Sequence, residues 1–501
     1  MGPMTARDAA KSGFAWGVIG GLALVGLMYL ASGILGLRPL TQALNDPLLS
    51  VMPGFVFGFL IDTLQHAGKV VEEAGLIVAM VVALGVLGAA WAVTTRSRPF
   101  PYSALAFAAV GWLVVVLVLL PVAGVGLLGL NDGFATPIEW AVLFVAYGMV
   151  LEASVTPPRS EGVDLQRRSL LGALPIGIGA VSLGLTGLYR VPTWYQAIAN
   201  PAEAGLSGPS PAITPTGNFY IVSKNFSDPV VDATSWRLSI GGLVDKPQKL
   251  TLSDLRALPS TTEAVTLECI SNDVGGPQMS TGMFSGVRLS DLIALASPQS
   301  SGSWAAFKSV DGYAESLPLS LINGQGSIMV AYDLNGAPLP TGHGFPARIL
   351  VPGHYGMKGP KWLQSIDVVQ SESGGYWEAQ GWDHNALVKT TARFDVPRDG
   401  VIYKLGAVSL SGVAFAGTRG ISRVEYSTDG GHSWSTAALQ APLSPISWVL
   451  WSATWTPGSE GSYTLVVRAT DGTGTLQTSA NAASFPSGSS GYHTVRIDIS
   501  K

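Results

Sequence analysis

The sequence predicts an α-helical membrane bundle, then an α+β domain, then a C-terminal β-sandwich. Three observations carry that expectation. Apolar runs long enough to cross a hydrocarbon core lie before residue 190. Beyond about residue 218 the chain turns to short alternating runs split by Gly, Pro, Asn and Asp. Of the 501 residues, 47% are hydrophobic and only 12% charged, with a mean hydropathy of +0.35, whereas soluble domains carry about 25% charged residues. A wholly soluble chain is therefore not expected, and a disordered one is excluded. Up to residue 190 there are 10 Lys and Arg against 10 Asp and Glu; the remainder has 19 against 23, giving the net −4. No basic tract is present, so no nucleic-acid partner is expected.

The membrane bundle, residues 1–190, contains spans near Phe14–Leu35, Ala74–Val93, Ala104–Leu130, Ile138–Val155 and Leu170–Leu188. The stretch Leu48–Leu64 is broken by Pro53 and Gly54 and reads as interfacial or re-entrant. Arg7 and Lys11 precede the first span, Arg96 and Arg98 follow the second, and Arg159, Arg167 and Arg168 precede the fifth. Cytoplasmic loops collect Lys and Arg. Five spans therefore predict a multi-pass protein of the cell membrane with a cytoplasmic N-terminus and everything after Leu188 extracytoplasmic. Arg38 and Lys69 in the first outer loop run against this, offset by Asp46, Asp62, Glu72 and Glu73. Arg167-Arg168 before a Gly-rich helix reads either as an ordinary positive-inside anchor or as an internal twin-arginine export signal. Only His66 lies before residue 190, which excludes a bis-histidine haem in the bundle. Glu139 and Glu152 could serve a proton path, but both fall near span ends, where an interfacial carboxylate is expected instead.

Residues 191–217, rich in Pro, Ser, Gly and Ala, read as a linker. Residues 218–398 mix strands and short helices. Trp236–Ile240 is a strand, Thr251–Leu258 opens with a Thr cap ahead of an amphipathic turn, and Leu289–Leu295 is a second short helix. Residues 399–501 lose the helical signals. Val408–Ala416, Ile421–Ser427, Ser447–Trp455, Ser462–Ala469 and His493–Ile499 are strand-like, joined by turns such as Asp429-Gly430-Gly431. Evenly spaced short strands of this kind predict a sandwich of immunoglobulin-like type without its disulfide, since Cys269 is the sole cysteine.

Two segments carry chemistry. In Thr266–Gly276 a β-like run ends in Cys269 and enters a polar, Gly-rich loop, where a rigid scaffold presents reactive groups. A lone cysteine also serves as a small buried hydrophobe. Gly342–Leu363 gathers His343, Arg348, His354, Lys358 and Lys361 among glycines and prolines. That mixture suits an anionic phosphate and the hydrogen-bonding edge of a large cofactor. It also suits a structural strand–turn–strand.

The segments His343–Arg348, Val351–Leu363, Ala331–Pro340, Leu267–Asn272 and Phe284–Ile293 resemble, in order and spacing, the sulfite-oxidase family of molybdopterin enzymes. Gly417–Gly431 resembles the family's dimerisation domain, so the likeness spans about Asn218–Ile499. The resemblance implies a molybdenum–molybdopterin cofactor, with Cys269 as the protein's thiolate ligand to the metal. It places His343, Arg348, Gly359 and Lys361 against the pterin and its phosphate, with Asp311 and Asn225 on the cofactor side. Lys224 and Arg419 fall at substrate-side positions. The implied activity is two-electron oxygen-atom transfer on a small oxyanion or an S- or N-oxide. Electrons would be exchanged with a separate carrier such as a cytochrome, the bundle would sit in membrane lipid, and two copies would pair. Sulfite oxidisers follow their cysteine with paired arginines; here Ser271-Asn272-Asp273-Val274 stands instead, and Gly359 replaces a serine. Two other readings stay open: a zinc or copper site of Cys269 with His343, His354 and His384, and a non-catalytic immunoglobulin-like binding module.

Overall fold

The computed structural model describes residues 5–154 apart from 36, 45–46, 49–67 and 97–101, scattered positions between 173 and 187, and 208–501 apart from 226–227. The expected fifth span and the Arg167-Arg168 pair lie largely outside the described residues, as do most of Leu48–Leu64 and of the linker. The chain forms two compact units.

In the helical unit, four helices among the described residues are long and apolar enough to cross a membrane: Ala6–Leu35, Val70–Thr95, Ser103–Val122 and Ala135–Ala153. The first two pack most closely, through glycines; a methyl group on Gly88 would stand 2.8 Å from Gly17 Cα. Small residues let helix backbones approach this way. The third helix widens into a π turn over Val115–Leu119 just before Pro121, which lacks the amide hydrogen an α turn needs. It ends at Val122, short of the expected Leu130, because the chain turns into a short 3-10 segment, Leu127–Asp132.

Glu72 and Glu73, expected in a loop, lie in the second helix, which begins at Gly68. Glu73 is buried and accepts a hydrogen bond from Tyr29 Oη at 2.9 Å. Glu152 sits at a helix end, as expected, and its Oε2 accepts from the Ala104 amide at 3.2 Å, satisfying an otherwise unpaired donor of the third helix.

Among its described residues the second unit contains four sheets. One has the order Gln248–Leu250, Leu238–Gly242, Leu363–Val369, Trp304–Ser309, Ala314–Pro318. Another runs Thr261–Glu268, Met279–Arg288, Met329–Leu334, Ala337–Pro338, with Arg348–Leu350 also pairing Met329–Leu334. A shared core of Leu238, Ile240, Phe307, Val330, Ile349 and Leu363 fills the space between them. Leu252–Ala257 forms a helix with the expected cap: Thr251 Oγ1 accepts from the Asp254 amide while the Asp254 carboxylate accepts from the Thr251 amide. Leu289–Leu295 is helical as expected.

The last two sheets face each other. Thr391–Val396, Val408–Phe415, Val449–Trp455 and Ala438–Leu439 make one; Ile402–Lys404, His493–Ser500, Gly461–Asp471, Ile421–Ser427 and Ser435–Thr436 make the other. Phe394, Leu410, Trp451, Leu465, Val467 and Ile497 form the core that both bury.

Candidate functional site

The strand Thr261–Glu268 delivers Cys269 to the start of a tight turn. The Cys269 amide donates to Gln278 O at 3.0 Å, and the Asn272 amide returns to Cys269 O at 3.0 Å. Cys269 is half-buried, with Sγ 3.0 Å from Ser271 Oγ. Burial pushes the thiol up, although Ser271 pulls the other way. Without a metal this sulfur keeps its proton; a metal ligand must lose it.

The turn is held from the C-terminal sheets. Arg393 Nη1 donates to Gly276 O at 2.7 Å, while its Nε pairs with Asp395 at 3.0 Å and its Nη2 reaches Ser210 Oγ at 3.2 Å. Ser489 Oγ donates to Asn272 O at 2.6 Å. Neither residue belongs to a recognisable motif, and both contacts join positions more than 100 residues apart.

The Gly342–Trp362 segment forms the facing wall. Gly344 adopts φ +105°, and a methyl group there would stand 3.0 Å from Lys361 Cβ and 3.1 Å from Arg348 Cβ. Glycine is therefore required between the two cations. Arg348 is buried; its Nη1 and Nη2 make long contacts of 3.3 and 3.4 Å to His343 O and Gly359 O, and its Nε has no partner. Burial lowers it to about 10. Lys361 Nζ donates to Val222 O and Gly342 O at 3.0 and 2.9 Å. Burial lowers it to about 8, with Asp228 opposing, and it feels the charges of Arg348, Asp311 and Cys269.

His343 is buried with its ring edge-on to Phe219. Burial, then Arg348 and Lys361, lower it to about 3, so it is a neutral hydrogen-bonding ring and not the third cation its segment's composition suggests. Tyr220, which sequence reading missed, is buried in the electrostatic reach of Cys269 and Arg348. It lies outside every motif singled out.

The remaining expected residues divide. Asn225 Nδ2 donates to Asp311 Oδ2 at 2.9 Å, so these two form one unit. Lys224 is buried with Nζ 5.0 Å from the centre of the Tyr376 ring. Gly359 is close-packed, since a methyl group there would stand 2.6 Å from Ile349 O. Its amide donates to Gly356 O at 3.1 Å. Arg419 pairs with Asp471 at 2.9 Å and donates to Val388 O and Thr390 Oγ1, each at 3.1 Å. Its guanidinium is thus largely engaged in joining two stretches of backbone. His384 is exposed beside Glu372, and no cluster of three or more His, Cys, Asp or Glu able to hold a metal ion occurs among the described residues.

A buried guanidinium with a bare Nε and no ion pair among the described residues is costly unless an anion meets it. Beside it stand a desolvated ammonium, a neutral imidazole and a half-buried thiol. This donor set fits an anionic, phosphate-bearing cofactor whose metal takes one soft sulfur ligand from the protein. The fold and site define a molybdopterin-binding domain of the oxidoreductase class. A family profile for the oxidoreductase molybdopterin-binding domain matches residues 225–377, and one for the Mo-co oxidoreductase dimerisation domain matches 385–499.

Sulfite oxidase of Arabidopsis thaliana is 31% identical over 276 residues, covering 45% of this chain and 70% of that protein. Mitochondrial sulfite oxidase of Mus musculus is 29% identical over 306 residues, covering 52% of this chain and 56% of that protein. The chain thus spans little more than half the length of the mammalian relatives it matches. A crystal structure of the sulfane dehydrogenase SoxCD from Paracoccus pantotrophus aligns at 24% identity over 56% of this chain and 77% of that one, with a TM-score of 0.49. The chain belongs to the sulfite-oxidase family of molybdopterin oxidoreductases.

Proposed function

We propose that this protein is a membrane-anchored oxidoreductase in which residues 218–398 bind molybdopterin and residues 399–501 form an immunoglobulin-like sandwich. The observation that carries the reading is the buried Arg348 and the half-buried Lys361 together facing the Cys269 turn, with Arg348 lacking any carboxylate partner among the described residues. Two-electron oxygen-atom transfer is the chemistry a bound molybdopterin supplies. The protein's own part is to bind, orient and exclude water. Arg348 offers a planar fork to the phosphate and Lys361 a point charge. His343 would hydrogen-bond without adding charge, Asn225 and Asp311 would present one polar edge, and Cys269 would hold the metal as its thiolate.

The substrate that suits this pocket is a neutral S- or N-oxide. A sulfite dianion needs cations at the thiolate turn, whereas Glu268 and Asp273 flank Cys269 and no arginine lies between Ser271 and Val274. Arg419 is drawn toward Asp471. Lys224 remains the substrate-side cation. Electrons pass to or from a separate carrier such as a cytochrome, two copies pair, and the site faces the extracytoplasmic side, as the Lys and Arg distribution supports.

Metal analysis of the full chain tests the reading. Molybdenum near one per chain, lost in Cys269→Ala, is expected; zinc or copper, or no metal at all, overturns it. Turnover of S-oxides and N-oxides with an artificial electron donor, exceeding turnover of sulfite with an acceptor, is expected for the substrate class.

A further inference from the structure

Behind the cofactor-facing turn lies a cluster that the proposed chemistry does not use. Lys358, in the turn between Arg348 and Lys361, is buried. Its Nζ donates to Glu315 Oε1 at 2.9 Å and to Glu378 Oε1. Glu315 comes from the strand Ala314–Pro318 and Glu378 from the 3-10 turn Glu378–Gln380; both are buried. The Ser316 amide also donates to Glu315 Oε1 at 2.8 Å.

The second oxygens, Glu315 Oε2 and Glu378 Oε2, have no donor. They converge at Gly375: a methyl group there would collide with Glu378 Oε2 and stand 2.8 Å from Glu315 Oε2. Two ionised carboxylates on one ammonium leave a net negative charge in a dry site, with two acceptor atoms facing each other. A proton between them removes both penalties, because a protonated carboxyl donates and an ionised one accepts.

We propose that Glu315 and Glu378, bridged by Lys358, hold one shared proton and form the proton reserve of the reaction pocket. Burial pushes the Glu315 carboxyl up to about 8, with Lys358 pulling it down and the Glu378 charge adding to the rise. The groups that face the pair are Lys358, the Tyr313 phenol, and through Tyr313 also Asp311 and Tyr376; His354 faces Lys358. Tyr313, whose hydroxyl donates to Met357 O, and Tyr376 stand between the pair and Lys224. The Tyr313 and Tyr376 rings lie 5.5 Å apart, and Lys224 Nζ stands 5.0 Å from Tyr376.

The use of the proton rests on the oxygen-atom chemistry proposed above. Reduction of an oxide XO consumes two protons and two electrons and yields X and water. The electrons come singly from the external carrier, and the pair supplies one of the protons. The reverse reaction returns a proton to it. The sharing of the proton does not depend on that chemistry.

Infrared difference spectra of the full chain, with and without bound cofactor, test the sharing directly. Between pH 6 and 8 a protonated-carboxyl absorption is expected that disappears in Glu315→Gln and shifts in Glu378→Gln. Glu268→Gln removes the separate contribution of Glu268, whose carboxyl burial raises to about 7. Spectra that are the same in wild type and both Gln variants overturn the proposal. A second readout is the pH profile of turnover. Each Gln variant is expected to lose at least about tenfold above pH 7 with KM unchanged, whereas a merely structural cluster leaves the profile's shape intact, which also overturns the assigned role. If molybdenum chemistry itself fails while the carboxyl absorption behaves as expected, the functional reading falls and the shared proton stands.

Discussion

Two arginines of the sheet-rich unit are nearly equally buried, Arg393 at 3% exposure and Arg348 at 6%, yet their surroundings differ in kind. Arg393, where the C-terminal sheets meet the Cys269 turn, has a carboxylate on Nε, a carbonyl on Nη1 and a hydroxyl on Nη2. Arg348, in the Gly342–Trp362 segment, has two long carbonyl contacts and a bare Nε. Burial and residue type alone do not separate a structural arginine from a ligand-binding one. The fate of its donors does: a filled set fixes backbone, and an unfilled set awaits an anion.

Removing each arginine should therefore fail differently. Arg393→Ala leaves Asp395 buried without its ion-pair partner, the Ser210 amide still donating to it at 3.0 Å, and frees Gly276 O, so a loss of about 3–5 kcal/mol is expected in denaturant unfolding. Cofactor occupancy should fall with it, since the Cys269 turn loses its tether. Arg348→Ala should leave unfolding of the cofactor-free protein unchanged or slightly more favourable to the fold, while pterin occupancy is lost. If Arg348→Ala costs as much stability as Arg393→Ala, the distinction between filled and unfilled donor sets collapses.

The sequence carried much of the frame and little of this distinction. The Thr251/Asp254 cap, the helix Leu289–Leu295 and the strand ending at Cys269 are set by neighbours within a few residues, so local pattern sufficed. The grouping of His343, Arg348 and Lys361 was legible because all three lie in one short segment. By contrast, the Arg393–Gly276 tether, Tyr220 beside Cys269, and the Glu315–Glu378 pair arise when segments distant in sequence meet. The ionic partner of Arg419 was equally hidden, because Asp471 lies 52 positions away on another strand. Glu72 and Glu73 were misplaced for a related reason. A hydropathy window stops at a charge, whereas Tyr29 on a neighbouring helix lets Glu73 be buried.

The wall with unfilled donors should also bind its ligand in a pH-dependent way. Burial lowers Lys361 to about 8, and an anion beside it raises that value. Protonated Lys361 is then favoured in the complex, so apo protein must take up a proton to bind above pH 8. Affinity for the cofactor is expected to drop by up to about tenfold per pH unit from there. Equilibrium dialysis at pH 7, 8 and 9 checks this; a flat profile shows that Lys361 does not meet the anion.

The smallest expected effect concerns the fold itself. Glu315 and Glu268 have folded values of about 8 and 7 against 4.5 when exposed, so the native state holds more protons than the unfolded chain in between. Their contribution is complete below pH 4.5 and is lost as pH rises through 7 to 8. His343 and His493, lowered to about 3 and 4, act oppositely but only up to about pH 6.5. Above that the carboxyls act alone until Lys361 adds its opposing term near pH 8. Stability of the cofactor-free protein should therefore fall between pH 6.5 and 8, and Glu315→Gln should flatten the fall without touching the Arg393 tether. A wild-type unfolding midpoint that rises across this window would show that the buried carboxyls are already ionised there, and that the acid cluster is a filled set like that of Arg393.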